Sequence, residues 1–335
     1  MGLSTSGTRM RRRFAFLALA LGLLLAIVGL ELLARSRYRA PWYERLEIAQ
    51  KTRPTRQGLN PYGLRGPAHA EPKLPTSRRV LFVGDSFTYG GGVEDDALVF
   101  PALLERELDD GPRADGVQRI EVLNGGLPGS HTGDWLDLWG RVGAAFDPDV
   151  VVVVFFLRDG ARLSARSSFF GPIRRGIVER NQRSKLYEYS YVFRMLRDHF
   201  DQATVARTYS ERIVRAYFGD ESEVVEWRAA QANLRELREL ALARGATFGL
   251  VVFPILVELN SNYPFRSVCE LLVAFGERNA MPTLDLLPAF LGHDAPELWV
   301  APMNQHPNTA GHAIAARAML PFVRGLVEEH ERERR

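Results

Sequence analysis

The chain has 335 residues with 43 Lys and Arg against 40 Asp and Glu, a net charge of only +3, which gives no support to a general polyanion-binding role. Its 46% hydrophobic content is ordinary for a globular protein and is enough for one large domain or two small ones. The single cysteine, Cys269, excludes an internal disulfide and, in the apolar helix-like stretch Val268 to Phe275, reads as a buried core thiol.

Arg11, Arg12 and Arg13 precede Phe14 to Leu30, 17 residues without a charge; Glu31 interrupts, and Leu32 to Ala34 continue. At about 1.5 Å per residue, Phe14 to Ala34 can span a bilayer core. The leading arginines predict a cytoplasmic amino terminus and an extracytoplasmic remainder, periplasmic or at the cell surface; Arg35, Arg37 and Arg39 weigh against that orientation. A single-pass, uncleaved anchor over residues 1–34 is expected. A cleaved signal peptide is the alternative, although no clean small-x-small site follows the run. Residues 35–75, rich in Arg, Pro and Tyr, read as a tether, with turn chemistry in Asn60 to Gly66.

From there strands alternate with helices. Arg79 to Val83 is a buried strand that stops at Gly84-Asp85-Ser86, with Gly90, Gly91 and Gly92 close behind. Helices are expected over 97–109, 132–146, 221–244, 264–279 and 309–329, and further strands over 118–123, 149–156, 247–255 and 283–286. The run Asp149 to Phe156 is the most apolar and reads as the central strand. The fold class is therefore α/β: a three-layer sandwich around a five-stranded, mostly parallel sheet with right-handed crossovers. Residues 160–220 interrupt the rhythm with Phe169, Phe170, Arg174, Arg175, Tyr187, Tyr189 and Tyr191, and read as a cap over the site or a surface packed on the tether. Residues 328–335 read as a solvated, charged tail.

Ser86 ends the first strand on the edge where open α/β sheets place their chemistry. His306, in Asn304-Gln305-His306-Pro307-Asn308, precedes the last helix and can meet it there. A serine hydroxyl needs a neighbouring base, and an imidazole supplies one near neutral pH. There is no P-loop, no dinucleotide-binding glycine pattern, no metal-ligand spacing and no basic stripe interleaved with aromatics, so no cofactor, metal or nucleic-acid partner is expected.

Gly84-Asp85-Ser86-Phe87-Thr88 and His306-Pro307-Asn308, followed by Gly311-His312, resemble the SGNH (GDSL-like) hydrolases over residues 76–327. The resemblance implies a flavodoxin-like fold, a Ser86 nucleophile with a His306 base, and an oxyanion hole that takes the Ser86 backbone N–H and a glycine N–H, which maps onto Gly129 in Asn124 to Gly129. Two positions depart from the pattern. The asparagine expected after the central strand is Arg158, followed by Asp159; Arg158 can donate to an oxyanion, bind an anionic substrate or pair with Asp159. The aspartate expected two or three residues before the histidine is Asn304 or Met303, so the triad acid is missing. Asn304 can orient the ring without charge, and Asp85 is expected to brace the serine loop. The expected function is an esterase acting through an acyl-enzyme on an ester-bearing small molecule or acylated glycan. An O-acyltransferase on a cell-envelope glycan and a non-catalytic binding domain are the alternatives.

Overall fold

The computed structural model describes residues 5–39, 59–60, 62–69, 72–111, 116–161, 170–301 and 304–334. In chain order the elements are α1 (Thr5–Arg37), β1 (Ser77–Gly84), α2 (Ser86–Tyr89), α3 (Phe100–Asp109), β2 (Arg119–Gly126), α4 (Thr132–Phe146), β3 (Val150–Phe156), α5 (Phe170–Gln182), α6 (Lys185–Tyr189) and α7 (Tyr191–Phe218). There follow α8 (Val225–Leu242), β4 (Thr247–Phe253), α9 (Arg266–Arg278), β5 (Thr283–Asp285), α10 (Leu287–Phe290), β6 (Trp299–Ala301), β7 (Asn304–Pro307) and α11 (Thr309–Glu333). Two compact units result: one from Met1–Ile48 with Ser168–Thr208, the other from Ala49–Ser167 with Tyr209–Arg335.

The larger unit holds the sheet, ordered β2-β1-β3-β4-β5, with every neighbouring pair parallel. The β-branched run Val150 to Val154 forms the middle strand and is buried on both faces, as a strand covered by helices on either side must be. In α8, Trp227, Ala230, Leu234, Leu237 and Ala241 are buried at helical spacing, and in α9 Val268, Cys269, Leu272 and Phe275 do the same. Burial pushes the Cys269 thiol well above its usual range, consistent with an inert core thiol. Residues that neighbour each other across the order reversal of the sheet, at the C-terminal ends of β1 and β3, are Gly84 and Val154. That is the switch point at which doubly wound sheets open a crevice.

One expectation needs revision. The tail is not merely solvated: α11 continues to Glu333, His330 is buried with Nε2 3.2 Å from Asp149, and Glu331 pairs with Arg78. These partners at the N-terminal edge of the sheet hold the last turns in place. Of the tether, 40–58, 61, 70 and 71 lie outside the described residues, but Arg65 bridges Asn124 at the sheet edge and belongs to the larger unit. Of the 160–220 insertion, 162–169 lies outside the described residues; Phe170 to Thr208 groups with α1, and residues from Tyr209 on group with the sheet.

In the smaller unit, Glu31 of α1 accepts from the Tyr191 backbone N–H, from Val192 N at 3.3 Å and from Ser190 Oγ at 2.9 Å. Tyr38 Oη donates to Asp198 Oδ2 at 2.9 Å. The segment Arg13–Arg37 is apolar and long enough to cross a membrane, and from Phe14 to Leu30 its side chains are exposed.

Candidate active site

Gly84 closes β1, and only glycine fits: an added Cβ would lie 2.1 Å from Thr88 Oγ1 and 2.8 Å from the Val154 carbonyl oxygen. Asp85 then caps α2, its Oδ1 accepting from Phe87 N at 2.8 Å, so the helix begins on Ser86. Phe87 anchors that short helix by stacking on Phe156 with ring centroids 3.7 Å apart, and its ring lies 5.2 Å from that of His306. These contacts fix the direction in which the Ser86 hydroxyl leaves the sheet.

His306 arrives on β7, half of an antiparallel hairpin with β6. The hairpin leads into α11, whose first turn is capped by Asn308, accepting from Ala310 N at 3.0 Å and Gly311 N at 3.1 Å. Across 220 residues of sequence, His306 Nε2 stands 2.8 Å from Ser86 Oγ. The Asp85 Oδ2 contact to the same hydroxyl is longer, 3.4 Å, so the better hydrogen bond runs to the imidazole.

Asn304 fills the place of the missing acid. Its Oδ1 faces His306 Nδ1 and also accepts from the His306 backbone N–H at 3.3 Å. A backbone N–H can only donate, so the asparagine atom at this point is oxygen, and the ring carries its proton on Nδ1. Nε2 is then left with its lone pair toward Ser86. The three-glycine loop backs this arrangement. A Cβ on Gly91 would sit 3.1 Å from His306 Cδ2, and one on Gly92, at φ +90°, 3.0 Å from Asn304 Nδ2. The loop is thus the surface on which His306 and Asn304 rest.

Burial, with a smaller contribution from the Arg158 guanidinium, lowers the His306 pKa from 6.5 to about 4. No carboxylate acts against that shift among the described residues; Pro302 and Met303 lie outside them. Asp85 and Asp159 are both buried, and burial holds each above the ordinary carboxylate range, with the charge of Asp85 raising Asp159 further. Asp159 is used locally: its Oδ2 accepts from Phe156 N at 2.9 Å, closing the turn after β3. Arg158 forms no ion pair with Asp159. It is exposed, with its guanidinium carbon 6.0 Å from the Phe156 ring centre, leaving its donors to the mouth of the site.

Gly129 lies in the turn Leu127–Ser130 with φ +77°. That turn is tied to the strand end before Ser86: Leu127 N donates to the Gly84 carbonyl at 2.9 Å and Ser130 Oγ to the same oxygen at 3.4 Å. Trp135 Nε1 donates to Ser130 Oγ at 2.9 Å and fixes the turn from behind.

Sequence reasoning missed Arg65. Its side chain is 3% exposed. It donates from Nη1 to the carbonyls of Tyr89 at 2.9 Å and Gly90 at 2.7 Å, from Nη2 to Val93 at 2.6 Å, and from Nε to Asp96 Oδ1 at 2.6 Å. One guanidinium fork therefore holds the whole glycine loop. Its only sequence signal is an arginine in a glycine-rich turn.

The profile of the GDSL-like lipase/acylhydrolase family matches residues 82–314. The chain belongs to this family. It is an ester-hydrolysing enzyme of the GDSL type. No curated protein matches the chain. Among solved structures it is similar to TesA, at 17% identity and TM-score 0.46, over 74% of this chain and 99% of that one. It is also similar to Axe2, an acetylxylan esterase from Geobacillus stearothermophilus, at 19% identity and TM-score 0.44, over 74% and 94%. A third is the lipase/acylhydrolase from Enterococcus faecalis, at 16% identity and TM-score 0.42, over 74% and 96%.

Proposed function

We propose that this GDSL-family enzyme is a serine esterase held by α1 at the extracytoplasmic face of a membrane, cleaving an oxygen ester through an acyl-enzyme on Ser86. The 2.8 Å contact between Ser86 Oγ and His306 Nε2, with the ring proton on Nδ1, carries the reading. His306 takes the Ser86 proton as Oγ attacks the ester carbonyl, then gives it to the departing alkoxide. Water repeats the sequence on the acyl-enzyme, and His306 returns the proton to Ser86. The Ser86 and Gly129 backbone N–H groups and the Arg158 guanidinium are the oxyanion donors in this scheme. Asp85 braces the nucleophile's turn and Asp159 the turn that carries Arg158.

The imidazolium formed in the attack donates Nδ1–H to Asn304 Oδ1 but meets no opposite charge, and Arg158 repels it. Arg158 returns that cost at the developing oxyanion. The site is a Ser–His–Asn arrangement whose base stays neutral and available to low pH, at the expense of basicity.

The anchor is supported by the exposed apolar side chains of α1, since monomeric soluble proteins rarely expose so large a contiguous apolar surface. It is supported further by the end of α1 and the residue after it: Ala34 is buried, Glu31 accepts from Ser190, and Tyr38 donates to Asp198, contacts that a cleaved leader would forfeit. The test of the mechanism is rapid mixing with p-nitrophenyl acetate. A burst of nitrophenolate stoichiometric with enzyme, and an acetyl group on Ser86 by mass spectrometry, are expected. Steady turnover with no burst and no acylated serine would contradict an acyl-enzyme.

A further inference from the structure

The insertion contributes a short helix, α6, whose apolar side chains are left exposed: Leu186 is 63% and Tyr189 71% exposed. Between α6 and α1 runs a groove of about 470 Å³, walled by Ile27, Val28 and Leu32 on one side and by Leu186 and Tyr189 on the other, with Lys185 at its rim. Glu31 and Ser190 close it, joined by their hydrogen bond. We infer that α6 is a membrane-inserted element: it lies within the outer leaflet, and the groove between α6 and α1 is filled by phospholipid acyl chains.

The depth follows from register along α1, and it rests on the reading of α1 as an anchor. If the apolar run ends at the membrane surface at Ala34, Glu31 lies about 4.5 Å inside and Ile27 about 10.5 Å inside, at 1.5 Å per residue. The α6 helix flanks this stretch. Helices that lie in the interface bury their apolar faces to a depth of about 5–10 Å. Above it, α7 runs in the same direction as α1, since Glu31 meets Tyr191 and Tyr38 meets Asp198. The α7 helix therefore leads out of the bilayer, and Phe200, nine residues beyond Tyr191, stands about 9 Å outside the level of Ala34.

Three further observations fit that level. A carboxylate within a bilayer needs donors from the protein, and Glu31 has three, from Ser190, Tyr191 and Val192. Aromatic and cationic side chains collect at the boundary: Arg194 lies 4.8 Å from the Tyr191 ring centre and 5.3 Å from that of Tyr187, and Arg35 lies 5.4 Å from Tyr191. Such a belt marks a membrane–water interface. Finally, the two charges of α6 answer each other, Lys185 Nζ lying 3.0 Å from Glu188 Oε2, so neither enters the interface unpaired.

The test uses the full chain in vesicles of phosphatidylethanolamine and phosphatidylglycerol. Cys269, the chain's one cysteine, is buried, so an introduced cysteine takes a nitroxide label specifically. Leu24→Cys samples the middle of α1, Leu186→Cys and Tyr189→Cys sample α6, and Phe200→Cys samples α7. Collision rates with oxygen, which partitions into lipid, and with a water-soluble nickel chelate report depth. The oxygen-to-nickel ratio is expected to be highest at 24, and several-fold higher at 186 and 189 than at 200. Labels at 186 and 189 that read like the one at 200, while 24 reads as buried in lipid, would overturn α6 insertion and leave the anchor standing. A water-exposed label at 24 would overturn the anchor and this inference with it.

Discussion

The Asn304 side-chain oxygen accepts from two donors of one residue, the ring Nδ1–H and the backbone N–H of His306. This double acceptance selects the tautomer a general base needs, without a charge. In the well-known triad, replacing the acid by asparagine costs about 10⁴ in rate because the wrong tautomer results; here the asparagine presents its oxygen, so that penalty does not arise. Only the missing electrostatic stabilisation of the imidazolium remains to be gained. Asn304→Asp should raise kcat roughly tenfold, about 1.4 kcal/mol, while Asn304→Ala, which frees the ring, should lower it by about 10². Steady-state kinetics on an aryl ester decide: a fall or no change with Asn304→Asp means the site has no unfilled need for charge.

The pH profile carries the same information. A base must be neutral, so activity falls as pH drops through the His306 pKa, which burial and then Arg158 depress to about 4. The acid limb of kcat/KM should therefore lie well below the ordinary imidazole value of 6.5. Asn304→Asp places a negative charge beside the ring, raises its pKa and moves the limb to higher pH. A wild-type limb at 6.5 would mean that His306 is solvated, or is not the base.

Arg158 has two roles that kinetics can separate. As an oxyanion donor, its loss in Arg158→Gln should cost about 2.7–4 kcal/mol, seen in kcat. As a contact to an anionic substrate group, its loss should raise KM for charged esters and leave neutral ones unaffected. The account predicts the kcat effect, with the acid limb rising only part of the way toward 6.5, because burial is the larger cause of the depression. An unchanged kcat on a neutral ester would remove Arg158 from the oxyanion hole.

Arg65→Met should destabilise the larger unit. It leaves the carbonyls of Tyr89, Gly90 and Val93 without this donor and strips Asp96 of its partner. Leaving buried acceptors unsatisfied costs about 1–3 kcal/mol each, while the pair with Asp96, 42% exposed, adds little. At about 2–4 °C per kcal/mol for a unit of this size, the midpoint should fall by roughly 10 °C. Arg65→Lys should recover only part, since one ammonium cannot span the fork. Melting followed by circular dichroism checks both; an unchanged midpoint would mean the loop holds itself.

The legible parts of this molecule were those whose signal is local. The β-branched run Val150 to Val154 announced a buried strand, the buried stripe of Trp227, Leu234 and Ala241 announced α8, and Gly84-Asp85-Ser86 marked the turn from β1 into α2. What was not legible depends on distant partners. The hairpin of β6 and β7 has strands too short to show a period. The α7 helix does carry one, with Val205, Ile213 and Tyr217 buried, but its first half is polar and aromatic and hides it. Arg65 acts on carbonyls 24 to 28 residues away, and a backbone carbonyl leaves no mark in a sequence. Asn304 was visible as a departure from the family pattern; that its oxygen meets two donors was not.

The central claim is that Ser86, activated by His306, is the nucleophile. The direct measurement is labelling of the folded full-length protein with a fluorophosphonate probe, which reacts with an activated serine. Wild-type protein should take one label, on Ser86 in the digested peptide, while Ser86→Ala and His306→Ala, with unchanged circular dichroism, should take none. Labelling of Ser86→Ala at the wild-type level, or a folded wild type that takes no label, would contradict it.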